Sequence, residues 1–301
     1  MRVAVTGASG LIGSALVPAL QKAGHEVLSL VRRMPTAADE AQWDPEAGTI
    51  DVDALQGVEA IVHLAGENIG QRWTETSRKR ILDSRVQGTR LIAETAAALD
   101  PRPALLAASA IGFYGQQGDQ ELTEESPRGE GFLADVTAAW EEAAEPAREA
   151  GVRVVRFRQG LVLSKEGGAL GRMLLPFRAG VGGRIGSGRQ WWSWVAIDDV
   201  AAAYLFALGH PLDGIYNLAS PGVVRNADFV DKLGNVLSRP TIFPLPGVAV
   251  RLAFGEMGEE MLLGGQRVVS ERLGGEGFEF AYPELEGALE HVLDRERRAR
   301  C

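Results

Sequence analysis

The stretch Arg2-Val3-Ala4-Val5-Thr6-Gly7-Ala8-Ser9-Gly10-Leu11-Ile12-Gly13 constrains the fold more than any other part of the chain. A β-branched run enters a loop in which Gly7, Gly10 and Gly13 are spaced G-x-x-G-x-x-G, and an amphipathic segment follows at once. That order specifies a strand, a tight turn and a helix. Gly7 allows the turn, Gly10 lets backbone N–H groups come close to a ligand, and Gly13 lets the helix lie against its strand. Such a loop offers unpaired N–H groups and the positive end of a helix dipole, which together suit a dinucleotide pyrophosphate. Thr6, Gly7, Gly10, Leu11, Ile12 and Gly13 are the expected contacts.

The alternation continues through the first half of the chain. Residues 3–6 read as the first strand and 11–23 as the first helix, with Ile12, Leu16, Ala19 and Leu20 on its apolar face. Pro18 removes the hydrogen bond to the Ser14 carbonyl and should bend that helix. Residues 26–31, 60–64, 104–108 and 152–157 read as further buried strands, each with a helical segment beside it. This predicts an α/β fold: a Rossmann-type, doubly wound parallel sheet with right-handed crossovers and a smaller C-terminal lobe. After residue 158 the pattern loosens. A glycine-rich stretch precedes Trp191-Trp192-Ser193-Trp194, which supplies either a pocket wall or core, and short helical segments dominate from Ser220. The expected division is a dinucleotide-binding domain over residues 1–219, with lobe insertions after 158, and a mainly helical region over 220–301.

Charge and cysteine content exclude several functions. The formal net charge is −9 and the arginines are scattered, so no basic face for nucleic acid exists. The only cysteine is Cys301, which rules out an intrachain disulfide and a cysteine-based zinc site. No apolar stretch is long enough to span a bilayer, and the first strand leaves no room for a signal peptide. The expectation is a cytoplasmic protein with a small-molecule substrate and neither a nucleic-acid nor a membrane partner.

Cofactor preference is written after the second strand. An acidic residue for ribose hydroxyls is usual there, but the strand ends Val31-Arg32-Arg33. Guanidinium forks suit a 2′-phosphate, so NADP(H) is expected, held also by Leu64, Ala65 and Gly66 where the third strand ends in small residues. His63 lies within that apolar strand and reads as a buried, hydrogen-bonded histidine. Arg85 falls on the helical stripe Ile81, Arg85, Gly88, Ile92 that packs on the sheet, so it needs an anionic partner: cofactor phosphate, substrate or a structural carboxylate. The fourth strand runs into Ala108-Ser109-Ala110-Ile111-Gly112-Phe113-Tyr114-Gly115. Ser109 stands where ligands bind in such sheets, and Tyr114 follows on the loop as a candidate proton donor; a strand-ending serine and a packed tyrosine fit the same positions.

These motifs resemble the extended, epimerase-like branch of the short-chain dehydrogenase/reductase superfamily over most of the chain. Thr6–Gly13, His63-Leu64-Ala65-Gly66, Ser109 with Tyr114-Gly115, Trp194-Val195-Ala196-Ile197-Asp198-Asp199 and Tyr216-Asn217-Leu218-Ala219 carry the likeness. The superfamily's Tyr-x-x-x-Lys is missing: Leu133 and Thr137 stand near its expected place, and Arg85-Val86-Gln87-Gly88-Thr89 replaces its Asn-x-x-Gly-Thr. Within the branch, the chain is similar to the atypical, YfcH-like epimerase-family proteins, whose C-terminal domain of unknown function is matched around residues 254–268. The resemblance implies an NADP-dependent epimerase or oxidoreductase acting on a small polar, nucleotide-sugar-like molecule, with Ser109 and Tyr114 as its catalytic residues. The alternative is a non-catalytic module that binds NADP(H) and regulates or recognises a partner.

Overall fold

The computed structural model describes residues 1–298, and Cys301 lies outside them. Eight strands form the central sheet: β1 (Arg2–Thr6), β2 (Glu26–Val31), β3 (Glu40–Asp44), β4 (Thr49–Ile50), β5 (Ala60–His63), β6 (Ala104–Ala110), β7 (Val154–Gln159) and β8 (Gly214–Leu218). Their spatial order is β8-β7-β6-β5-β1-β2-β3-β4, and every pairing is parallel except the β3–β4 hairpin at one edge. From β1 the chain winds outward to β2 and β3, then resumes at β5 on the other side of β1. That reversal places a crevice outside the carboxyl ends of β1 and β5, where ligands bind in doubly wound sheets.

Helices cover both faces, which is why the central strands carry uninterrupted apolar runs. Val3 and Val5 point to one face, where Leu16 and Leu20 of α1 (Gly13–Lys22) and buried residues of the helix Ile197–Gly209 pack on them. Ala4 points to the opposite face, against Ile92, Ala93 and Ala96 of α2 (Glu75–Ala98). Thr74 and Ser77 close the start of α2 with a reciprocal capping box. A separate core, with Leu170, Leu174 and Phe177 on one helix and Phe229 and Leu233 on another, builds the lobe. Trp192 and Trp194 fill this core, and Trp194 Nε1 donates to the Gly222 carbonyl at 2.8 Å, so these two rings pack the interior. No helix among the described residues is long and apolar enough to cross a membrane.

Two details depart from the sequence reading. Helix α1 begins at Gly13 because Gly10 N–H bonds back to the Gly7 carbonyl, keeping residues 10–12 in the loop; Pro18 lies inside the helix as expected. The edge hairpin β3–β4 went unpredicted, since only Ala41 and Trp43 point inward and the strands are short.

His63 is fully buried at the end of β5, with Nδ1 2.8 Å from Thr6 Oγ1. That hydroxyl accepts from the N–H groups of Leu64 and Ala65, so its proton goes to Nδ1 and the ring keeps its own proton on Nε2. Burial, with the nearby Arg85 charge, lowers the His63 pKa to about 4. The unfolded chain takes up this proton near pH 6.5, so the neutral ring's contribution is complete above that pH and is lost as pH falls toward 4. Urea unfolding at pH 7.5 and 4.5 should show wild type losing about 2–3 kcal/mol more than His63→Asn across that interval. Equal losses would mean that His63 does not set the acid limit.

Candidate functional site

The glycine loop has the shape that its spacing implied. Gly7 has φ of 68°, and a methyl there would lie 3.0 Å from the Ala65 nitrogen, so β1 and the end of β5 touch through backbone alone. A methyl on Gly13 would overlap the Gly7 carbonyl oxygen and sit 2.7 Å from Ala8, which fixes how closely α1 approaches its strand. No side chain caps the start of α1. Its first N–H groups face the crevice end of the sheet, which fits a dinucleotide pyrophosphate. Leu11 reaches across to the start of the helix Gly168–Arg178, with a Gly168 methyl position only 3.0 Å from its side chain. Thr6, by contrast, is fully buried and spends its hydroxyl on His63, Leu64 and Ala65; it orders the loop from behind and does not face a ligand.

The three arginines have different fates. Arg33 Nη1 donates to Glu40 Oε2 at 2.8 Å and its other terminal nitrogen pairs with Glu40 Oε1. The Arg33 bond, helped by the Thr36 N–H, holds the Glu40 carboxyl down at about 2. Arg32 is exposed and makes no hydrogen bond or ion pair among the described residues, so it alone remains uncommitted at the end of β2. Arg85 lies beneath the crevice floor, its guanidinium carbon 3.3 Å from where a Gly66 methyl would be. Nη1 donates to the carbonyls of Glu67 (2.9 Å) and Ile81 (3.2 Å), and the cation sits 5.0 Å from the Trp140 ring centroid. Burial lowers its pKa to about 10, which leaves it cationic at neutral pH, and no carboxylate among the described residues bonds to it.

Ser109 and Tyr114 belong to a buried network, and here the structure corrects the sequence. Glu141 on α3 (Phe132–Glu142) takes both Nε and Nη2 of Arg158 at 2.8 Å, and Ser109 Oγ donates to the same carboxylate at 2.6 Å. Arg158 Nη1 donates to Tyr114 Oη at 3.0 Å, and Tyr114 donates to Asn217 Oδ1 at 2.7 Å. Tyr114 is wholly buried, and burial raises its pKa although Arg158 opposes the rise. Its hydroxyl therefore does not open into the crevice, and Ser109 has no free hydroxyl to orient a substrate. Nor does α3 restore the missing relay: Leu133 is apolar and Thr137 Oγ1 donates to the Leu133 carbonyl at 2.7 Å.

Beside the crevice lies a cleft of about 610 Å³ that the sequence reading missed. Gly112, Gly115, Gln116 and Gln117 form one wall, Arg128–Gly131 and Leu133 another, and Glu260 and Gln266 of the C-terminal region complete it. Glu260 sits on a single π-helical turn, Glu259–Leu263, a form that recurs at functional sites. Its oxygens accept from the N–H groups of Phe132 (2.9 Å) and Leu133 (3.0 Å), capping α3, whose own cap residue is glycine. Gly131 has φ of 106°, and a methyl there would come within 2.9 Å of Glu260 Oε1. The glycine pairs at 129 and 131 and at 264 and 265 were the only sequence signal of this close approach.

Known proteins share this fold. The sequence profile described as NAD dependent epimerase/dehydratase family matches residues 3–219, and that of a domain of unknown function (DUF1731) matches residues 245–292. The chain is 45% identical over 296 residues to epimerase family protein MT2273 of Mycobacterium tuberculosis, covering 97% of this chain and 98% of that protein. The fold superposes on a crystal structure of human epimerase family protein SDR39U1 (isoform 2) with NADPH, with TM-score 0.89 and 35% identity over 98% of this chain and 99% of that one. A structure described as the nucleoside-diphosphate sugar epimerase from Corynebacterium glutamicum matches with TM-score 0.81 and 35% identity, over 100% of this chain and 61% of that one.

The buried network makes a stability prediction. Glu141→Ala leaves the Arg158 charge uncompensated and should cost about 3–5 kcal/mol. Tyr114→Phe strands Arg158 Nη1 and Asn217 Oδ1 and should cost about 1–3 kcal/mol. Chemical denaturation of both variants measures this. A Tyr114→Phe protein as stable as wild type would show that the hydroxyl is not held for structure.

Proposed function

The chain belongs to the NAD dependent epimerase/dehydratase family, and from that premise we propose that it binds NADP(H) in the crevice and works on a small polar molecule in the adjoining cleft. The observation that carries this reading is the glycine loop: a backbone cradle with an uncapped helix start, closed to any side chain at positions 7 and 13. Gly7, Gly10, Leu11, Ile12 and Gly13 would hold the pyrophosphate, with Leu64, Ala65 and Gly66 beside them and Arg85 supplying positive charge from below. Arg32 would take the 2′-phosphate, while Arg33, held by Glu40, would support it from the side. The NADPH found with the human relative points the same way.

When bound, the nicotinamide would supply or accept a hydride. The chain's own part is to orient the ligand and exclude water, because the side chains that usually move the proton are absent and Ser109 and Tyr114 are committed elsewhere. That commitment favours one further reading, a non-catalytic NADP(H)-dependent binding module. We assign residues 1–219 to cofactor binding and 220–301 to completing the substrate lobe, since Glu260 and Gln266 reach the cleft from the latter.

Titration of NADPH and NADH into wild type and Arg32→Ala, followed by nicotinamide fluorescence, tests the cofactor. One charge-assisted phosphate contact of about 1.5–3 kcal/mol predicts a preference of roughly ten- to a hundredfold for NADPH, largely lost in the variant while NADH affinity stays put. Equal affinities in wild type would sink it. Oxidation of NADPH by any of a panel of carbonyl compounds and sugar nucleotides separates the enzyme from the binding module.

A further inference from the structure

Seven large apolar side chains among the described residues are more than half exposed, and six of them lie on two segments of the lobe that run side by side; the seventh is Met34. We propose that this surface docks on an anionic lipid bilayer, resting at the level of the headgroups without crossing them.

The first segment carries Leu175, 78% exposed on the helix Gly168–Arg178, and Val181 just beyond its end. The second begins with Ile242 and Phe243, on an extended stretch laid along residues 182–186. Phe243 N–H donates to the Gly182 carbonyl at 3.3 Å, and Leu245 N–H to the Arg184 carbonyl at 2.9 Å. That stretch leads into the helix Gly247–Phe254, which turns Val250 into the core and leaves Val248 and Leu252 outside. Single exposed apolar residues are ordinary, but a cluster of this kind marks a contact surface.

Charge says what the contact is with. In the whole chain, 40 acidic residues outnumber 31 lysines and arginines. Yet residues 167–197 hold four arginines, residues 232–255 hold Lys232, Arg239 and Arg251, and neither segment has an acidic residue. Arg184 is exposed and makes no hydrogen bond or ion pair among the described residues. Arg239, also exposed, donates to the backbone carbonyls of Arg178 and Ser238. The bordering carboxylates are occupied: Asp231 by the Thr241 hydroxyl, Glu256 by Arg78 and Glu259 by Arg251. A second copy of the chain, related by a two-fold axis, would set arginines against arginines, which opposes a dimer through this surface. Anionic headgroups attract those arginines, at about fivefold in affinity per cation near the membrane. The acyl boundary beneath takes projecting apolar side chains without needing a pocket for each. The expectation of no membrane partner came from the lack of a spanning stretch, which a surface resting on a bilayer does not need.

Co-sedimentation of the full chain with two kinds of vesicle tests this: phosphatidylcholine alone, and equal parts phosphatidylcholine and phosphatidylglycerol. Binding should be at least about tenfold stronger to the anionic vesicles at low salt, and should fall as added salt screens the arginines. Ile242→Ser/Leu252→Ser removes apolar contact and Arg184→Gln/Arg239→Gln removes charge, and each pair should weaken binding about tenfold or more. All four side chains are exposed, so both double variants should unfold at the same urea concentration as wild type. No binding to either vesicle, equal binding to both, or binding untouched by both double variants overturns the proposal. A wild-type dimer in analytical ultracentrifugation that Ile242→Ser/Leu252→Ser breaks, with no vesicle binding, overturns it in favour of a second copy.

Discussion

A guanidinium and a carboxylate, both buried at the carboxyl end of the sheet, hold together parts of the chain that are distant in sequence. Arg158 comes from β7 and Glu141 from α3, and around them gather Ser109 of β6, Tyr114 of the following loop and Asn217 of β8. Asn217 in turn donates to the Val269 carbonyl at 2.8 Å, which carries the chain of bonds into the C-terminal region. Burying two charges is costly unless every lone pair and proton is met. Here Glu141 and Tyr114 take three of the five guanidinium protons, the serine adds a donor to the carboxylate, and the centroid of the Phe113 ring lies 3.4 Å from the guanidinium carbon. The network's hold is therefore all-or-nothing, because a half-satisfied version would be worse than an apolar core.

This has a chemical corollary. Hydroxyls that serve as proton carriers must be able to exchange partners, and the hydroxyls of Ser109 and Tyr114 are engaged on charged or amide groups with no solvent beside them. The end of the sheet that would ordinarily present reactive side chains has been given over to rigidity. What faces the cleft instead is backbone, three glutamine amides, Arg128 and the side chains of Glu130 and Glu260, the last from the far end of the chain.

The legible parts of the molecule were those with local causes. The first strand, the glycine loop and α1 follow from β-branching, glycine spacing and a 3.6-residue period inside one short stretch. His63 was legible as a buried ring because its neighbours in the strand are apolar. The same local logic misjudged Tyr114 and passed over Arg158. Residues 152–157 read as a buried strand, and Arg156 and Arg158, which alternate with Val155 and Phe157, are indeed buried, because α3 and the short helix after it bring Glu141 and Glu145 over that face. Arg33 was read without Glu40, seven residues on, because the turn that joins them has no strong signal. Glu260 lay furthest out of reach: its partners are 127 and 128 residues away, and no period or spacing encodes such a meeting.

The cap that Glu260 places on α3 has a temporal side. A helix start normally finds its partner within its own first turn, but this one begins at a glycine and waits for a residue made 128 positions later. As the chain leaves the ribosome, the sheet through β7 can assemble while the first N–H groups of α3 are still answered only by water. Domains fold from the N-terminal end during synthesis, so the last segment arrives as a closing piece and not as an appendage. A nascent or prematurely ended chain would therefore carry the complete dinucleotide cradle next to an unfinished α3, which makes the cleft wall the latest part of the molecule to acquire its final form.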